Sequence, residues 1–244
     1  MSDMRIALVA EGKTDQIVIE AALKAILDRP FILTLLQPET SDPFGGAGSL
    51  GGGWGGVYRW CRQVVSMLCP VAENPDLAEF DMILLHVDAD VAGMRYADAN
   101  IRDGRTDLPC ELPCPPAADT VNALREVVAR WLDLPSAGDL PGKWLFCNPS
   151  KCVEAWVIAS YENALPLLMG NIMQNIECKL SLESWLSIMP IRNRCLIRGG
   201  KKRTAGYRKA ADQIQAEWRH VVHSCSQSAR FDGEVRASLG VLGN

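Results

Sequence analysis

The run Met82-Ile83-Leu84-Leu85-His86-Val87 constrains this chain more than any other stretch. It has strand length and no polar alternation, the pattern of a parallel strand covered on both faces. It ends in Asp88-Ala89-Asp90. Residues two apart in an extended chain project to the same side. Two like charges would then stand together at the edge of a core, where they repel and resist desolvation. Carboxylates brought that close need a cation or shared protons. His86 shares the parity of the two aspartates, and inside an apolar strand it reads as a hydrogen-bonded core histidine.

The rest of the pattern places that strand in a sheet. Met4–Ala10 reads as a first strand, broken by Glu11-Gly12-Lys13-Thr14-Asp15, where Thr14 or Asp15 can cap a helix. Ile17, Ala21, Leu23, Ile26 and Leu27 form that helix's apolar face. Phe31–Leu36 reads as a second strand, 37–56 as a loop, and about Val57 to Leu68 as a helix. Asp81–Val87 is the third strand, and Val91–Asp119 is loop-like, with prolines at 109, 113, 115 and 116. A helix over about Thr120–Leu132, a fourth strand over Lys143–Cys147 and a helix starting near Cys152 complete the alternation. This order implies an α/β fold: a Rossmann-like parallel sheet of about four strands, flanked by helices and joined by right-handed crossovers. After about Leu165 the strand signals stop. Residues 1–165 are expected to form the core, and 166–244 a helical C-terminal extension.

Composition excludes some classes. The 244 residues are 48% hydrophobic and 22% charged, as in an ordinary globular protein. No run is long enough to span a bilayer. The N-terminus lacks a basic region ahead of its short apolar stretch, so a cytoplasmic location is expected. Nine cysteines are scattered through apparent helices, strands and loops, which suits reduced thiols better than a disulfide framework. Cys110 and Cys114 are close in sequence, but no second pair completes a zinc-finger spacing. His220 and His223, spaced i,i+3 without a nearby carboxylate, read as surface residues.

Gly45–Gly56 holds eight glycines, and Gly46-Ala47-Gly48-Ser49-Leu50-Gly51 formally matches a dinucleotide fingerprint. That fingerprint works only when a strand runs directly into the glycines and a helix leaves them at once. Here Gln37–Phe44 intervenes, and no Gly-Lys-Ser/Thr follows. A mobile loop near the site is the better reading.

The net charge of −4 hides an asymmetry. Glu73–Asp119 holds eleven acidic residues against three arginines, while Arg192–Lys209 holds eight basic residues and no acid. In a parallel α/β sheet the ligand site lies beyond the carboxyl ends of the strands. Glu11 ends strand one, Asp88 and Asp90 end strand three, and Glu154 opens the helix after strand four. Hard oxygen donors of this kind suit Mg²⁺ or Mn²⁺.

Glu11-Gly12-Lys13-Thr14-Asp15 after a first strand and Asp88-Ala89-Asp90 after a later one resemble the TOPRIM (topoisomerase–primase) signature. Asn148-Pro149-Ser150-Lys151-Cys152-Val153-Glu154-Ala155-Trp156 adds a likeness to small stand-alone bacterial TOPRIM proteins and to the nuclease domain of the overcoming-lysogenization-defect family. The resemblance covers roughly residues 4–160. It implies that Glu11 is a metal ligand or general base and that Asp88 and Asp90 are ligands of one or two ions. Glu154 would complete the cluster, with Ser150 or Lys151 lining it. One ion would neutralise phosphate charge and activate a water; a second would clamp the attacking and leaving oxygens.

Beyond the acids, Arg194, Arg198, Lys201, Lys202 and Arg203 offer phosphate contacts, and Tyr207 a surface for base stacking. The resemblance implies that Lys201 or Lys202 stabilises transition-state charge. The plainer reading of the segment is a solvated basic turn before a helix over Thr204–Val222. The expected activity is metal-dependent hydrolysis of DNA or RNA phosphodiesters, and the resemblance implies a setting in bacterial anti-phage defence. The resemblance also implies the alternative, a non-catalytic or conditionally active subunit that works with an ATPase; no ATP-binding motif occurs here, so the ATPase would be a separate chain. A weaker third reading is a phosphatase or phosphotransfer enzyme on small molecules. A homo-oligomer remains open.

Overall fold

The computed structural model describes residues 3–39, 48–67, 70–164, 173–188 and 196–242. Four parallel strands make one sheet in the order β2-β1-β3-β4: β1 (Met4–Val9), β2 (Phe31–Gln37), β3 (Met82–His86) and β4 (Trp144–Cys147). The α/β class read from the sequence is therefore the observed one.

The apolar runs are explained by burial on both faces. Alternate residues of β1 divide: Ile6 and Leu8 enter one cluster, Ala7 and Val9 the other. In β3, Met82 and Leu84 face one way while Ile83 and Leu85 face the other. Helices α2 (Gly53–Ser66) and α3 (Ala118–Trp131) cover the second face. The first face carries α1 (Lys13–Ile26), α4 (Glu154–Ala159) and most of the C-terminal part. That part comprises α5 (Leu182–Ile188), the strands β5 (Ile197–Arg198) and β6 (Lys201–Lys202), α6 (Thr204–Ala216), α7 (Trp218–Ser224) and α8 (Ser226–Leu242). Tyr207, Ile214 and Phe231 share one core with Ile6 and Trp156, so the extension completes the face of the sheet that α1 alone leaves uncovered.

Several local expectations are corrected. α2 begins at Gly53, not near Val57. Glycine is demanded at position 56, because a Cβ there would lie 2.5 Å from the Gly51 carbonyl oxygen. The extension is not wholly helical: β5 and β6 pair antiparallel, and Gly199 and Gly200 turn between them at φ +57° and +71°. Two consecutive residues with positive φ are the requirement of a tight hairpin turn. The expected helix Thr204–Val222 is interrupted, α6 ending at Ala216 and α7 starting at Trp218.

Thiols also differ from expectation. Cys114 and Cys178 form a disulfide joining the proline-rich insert to the C-terminal part, so Cys114 is not available for a zinc site. Cys61, Cys147 and Cys225 are buried free thiols and Cys110 is an exposed one. His220 is not a lone surface residue, since its Nε2 lies 2.5 Å from Glu162 Oε2. Among the described residues no helix is long and apolar enough to cross a membrane.

Candidate metal centre

β1 delivers Glu11 two residues beyond its last paired position, and β3 delivers Asp88 likewise. The two are tied directly, the Asp88 backbone N–H donating to Glu11 Oε1 at 2.8 Å. The loop after β4 is laced to the same edge. Asn148 Nδ2 donates to the Val87 carbonyl at 2.8 Å, Ala89 N–H to the Pro149 carbonyl at 3.0 Å, and Asp90 N–H to the Lys151 carbonyl at 3.2 Å. Those bonds bring Glu154, the first residue of α4, to the edge; it is fully buried.

Asp15 belongs to this group, and sequence reasoning assigned it elsewhere. It does not cap α1, whose N-cap is Gly12 with no side-chain hydrogen bond. Its first-turn position instead turns the carboxyl toward the sheet edge, buried at 3% exposure, where its charge acts on Asp88. The signal was the spacing itself: Glu11 and Asp15 lie four residues apart across the strand-to-helix junction.

Asp90 is placed differently from Asp88. β3 stops at His86, Asp88 stays extended, and Ala89–Val91 forms a 3₁₀ turn. The strand parity that would pair the aspartates is broken there, and Asp90 is exposed while Asp88 is buried. Asp90 lines a groove of about 380 Å³ with Lys151, Cys152, Lys179, Leu182 and Glu183. Lys151 is itself buried and paired with Glu111 of the insert.

Lys202 supplies the counter-charge. Its Nζ lies 2.7 Å from Glu154 Oε1 and 3.1 Å from Glu183 Oε1. Glu183 was not singled out from the sequence; it lies in the first turn of α5, beyond the motifs. Lys201, its neighbour on a two-residue strand, points the other way and is exposed, as are Arg198 and Arg208. Arg203 is half-buried, and Arg194 lies outside the described residues. Tyr207 is not a base-stacking surface. It is wholly buried, and its hydroxyl donates to Glu154 Oε1 at 2.6 Å.

The electrostatics are lopsided. Burial raises the Asp88 carboxyl well above its ordinary range, and Asp15, Glu154 and Asp90 add to the effect while Lys202 opposes it. Burial likewise raises Glu11, reinforced by the Asp88 charge. Asp15 is raised by burial and by Glu154, with His86 and Lys202 opposing. Glu154 goes the other way: burial pushes it up, but Lys202 and the Tyr207 hydroxyl outweigh that and hold it low. Lys202 is raised because the Glu154 and Asp15 charges exceed the cost of its burial.

Three polar groups here are incompletely met. Asp88 Oδ1, Glu154 Oε2 and both His86 ring nitrogens are buried without a hydrogen-bond partner. His86 Nε2 lies 3.2 Å from Asp88 Oδ1, close but without the alignment of a hydrogen bond. The expected hydrogen-bonded core histidine is thus a buried histidine facing the cluster. Orphaned carboxylate oxygens among several acids fit a hard divalent cation, which Asp88 and Glu154 could hold with help from Glu11 or Asp15. Among the described residues, no three His, Cys, Asp or Glu side chains already stand grouped to hold an ion.

Nothing among known protein families, curated proteins or solved structures matches this chain. Fold and site together define a parallel α/β domain with a cluster of buried acids at the carboxyl edge of its sheet.

Proposed function

We propose that the chain is a Mg²⁺- or Mn²⁺-dependent nuclease that hydrolyses phosphodiester bonds of DNA or RNA at the carboxyl edge of its sheet. The observation that supports this most is the surplus of carboxylate over cation: Asp15, Asp88 and Glu154, all buried, act on Lys202, and Glu11 is hydrogen-bonded to the Asp88 backbone beside them. A fold retains so costly an arrangement where a ligand supplies the missing positive charge. Asp88 and Glu154 would hold the ion, with Glu11 completing the set and Asp90 reaching it from the groove. The bound cation would supply charge neutralisation at the phosphate and a lowered pKa for the attacking water. Glu11, already accepting the Asp88 N–H, is positioned to take a proton. Lys202, held by Glu154, Glu183 and the field of Asp15, is positioned to meet charge building on the phosphate. The TOPRIM resemblance points the same way for Glu11, Asp88, Asp90 and Glu154.

Purified protein should cut labelled DNA or RNA with Mg²⁺ or Mn²⁺ and bind Mn²⁺ by calorimetry. Asp88→Asn should lose both. Equal cutting by wild type and Asp88→Asn, across metals and substrates, would remove the reading.

The Lys202–Glu154 contact favours a second reading, a subunit that is switched on by a separate ATPase. Lys202 and the Tyr207 hydroxyl share Glu154 Oε1, and a partner that draws Lys202 toward Glu183 would remove the positive charge from that carboxylate and open it to a cation. Cutting that appears only when such an ATPase is added would select this reading. Anti-phage defence would be the setting in either case.

A further inference from the structure

A second charged feature lies on the other face of the sheet, apart from the acid cluster. Arg59, Arg62, Gln63 and Ser66 of α2 fall at i, i+3, i+4 and i+7, so they form one polar stripe along the helix. The segment from Asn100 to Arg105 faces this stripe across a groove of about 870 Å³. Four arginines line that groove, Arg59, Arg62, Arg102 and Arg105, against one acid, Asp103.

The charges do not cancel. Asp103 is engaged by the Tyr58 hydroxyl and the Arg105 backbone N–H. Arg59 donates to the carbonyls of Leu50 at 3.0 Å and Ala99 at 2.5 Å, which fixes the guanidinium without neutralising it. Arg102 is exposed and has no hydrogen bond or ion pair among the described residues. Arg62 and Arg105 have partners at the rim, Asp133 and Asp107, and Asp107 is shared with Arg130. A chain of net charge −4 thus gathers cations here, one of them pinned by backbone carbonyls.

Position adds to this. Leu50, whose carbonyl anchors Arg59, lies three residues before Gly53, and the Gly53 N–H donates to the Glu11 carbonyl at 2.9 Å. The groove therefore starts at the loop that borders the acid cluster and runs along α2.

We propose that this groove seats the phosphodiester backbone of a nucleic acid, with Arg59, Arg62 and Arg102 on its phosphates. Guanidinium groups suit this role because they match phosphate oxygens in pairs and never deprotonate. The contacts carry no base information, so they position the strand without selecting sequence. The choice of polyanion rests on the nuclease reading; the groove itself does not depend on hydrolysis.

Binding is measured by fluorescence anisotropy with labelled duplex DNA, single-stranded DNA and RNA, in EDTA so that no cutting occurs. Arg62→Gln with Arg102→Gln should flatten the dependence of log affinity on log salt by about 1.8 for duplex or about 1.4 for single strands. Lys24→Gln, on the opposite face, should leave the slope unchanged. Arg102→Gln alone, which breaks no hydrogen bond or ion pair among the described residues, should flatten it by about half as much. Wild-type protein that binds none of the three probes, or unchanged slopes in the arginine variants, overturns the proposal. Cutting in Mg²⁺ scores the parent reading separately. Cutting with unchanged slopes sinks the groove alone, while arginine-dependent binding without any cutting upholds the groove and sinks the nuclease.

Discussion

Asp107 and Asp88 are acids of one chain in opposite circumstances. Asp107 accepts from Arg105, Arg130 and the Tyr96 hydroxyl. Burial pushes its carboxyl up, but those donors outweigh it and hold the pKa at about 2. Asp88 sits deeper, among Asp15, Glu154 and Asp90, and ends well above the ordinary carboxylate range. The fold compensates the first acid completely and leaves the second under-compensated. That contrast, an acid left under-compensated in a protein able to supply two arginines to another, is what the proposed site rests on.

The largest test of that contrast is activity. Asp88→Asn should cut nucleic acid on the order of a thousandfold more slowly, as expected on removing a charge that meets the reacting centre. Asp107→Asn, away from the acid cluster though at the rim of the arginine groove, should stay within about twofold in the same assay at saturating substrate. Equal losses would erase the distinction.

Stability should divide Lys202 from Lys201. Lys202→Met strands Glu154 as a buried carboxylate and should cost about 3–5 kcal/mol by urea unfolding. Lys201→Met, exposed on the same strand, should change stability by under about 0.5 kcal/mol.

The pH dependence should differ in sign. The Asp107 carboxyl is depressed from its ordinary 3.8 in the folded state, so its contribution is present above that value and lost as pH falls through about 2. Because it is partly solvent-screened, that contribution is about 1 kcal/mol. Asp88 and Glu11 are raised, so the unfolded chain ionises first. Stability is full below the ordinary values of 3.8 and 4.5 and is lost as pH rises toward the raised folded values. Urea midpoints across acid and neutral pH should therefore fall as the cluster ionises. Asp88→Asn should flatten that descent, whereas Asp107→Asn should alter only the acid limb. A wild-type midpoint that climbs through neutral pH would contradict the cluster's assignment. Tyr207→Phe should cost about 1–2 kcal/mol by urea unfolding, from the lost hydrogen bond to Glu154.

Much of the fold could be read from residues because burial on both faces leaves a plain mark. The runs in β1, β3 and β4 lie within a residue or two of their observed limits, and at the sheet edge Glu11 accepts from the Asp88 N–H while the Glu154 charge acts on Asp88. What escaped had a physical reason in each case. Gly53–Gly56 reads as a breaker, yet the close approach of Gly51 and Gln37 makes glycine the residue that fits there. β5 and β6 are too short for any periodicity, though Gly199-Gly200 is a hairpin dipeptide. Asp15 was read locally as a cap, when the sheet edge beside it decides its role. Tyr207 sits in a run of cations, and only the packing of α6 under Glu154 shows that it faces inward. Cys114 and Cys178 lie 64 residues apart, a pairing that spacing does not reveal.

That bridge also turns part of the chain into a covalent ring. α3, β4 and α4 lie within it, and with them Lys151 and Glu154. A protease cutting once anywhere between Cys114 and Cys178 would leave a single molecule, with the Glu154 helix still fastened to the rest. The two pieces would part on a denaturing gel only after a reductant had opened the ring.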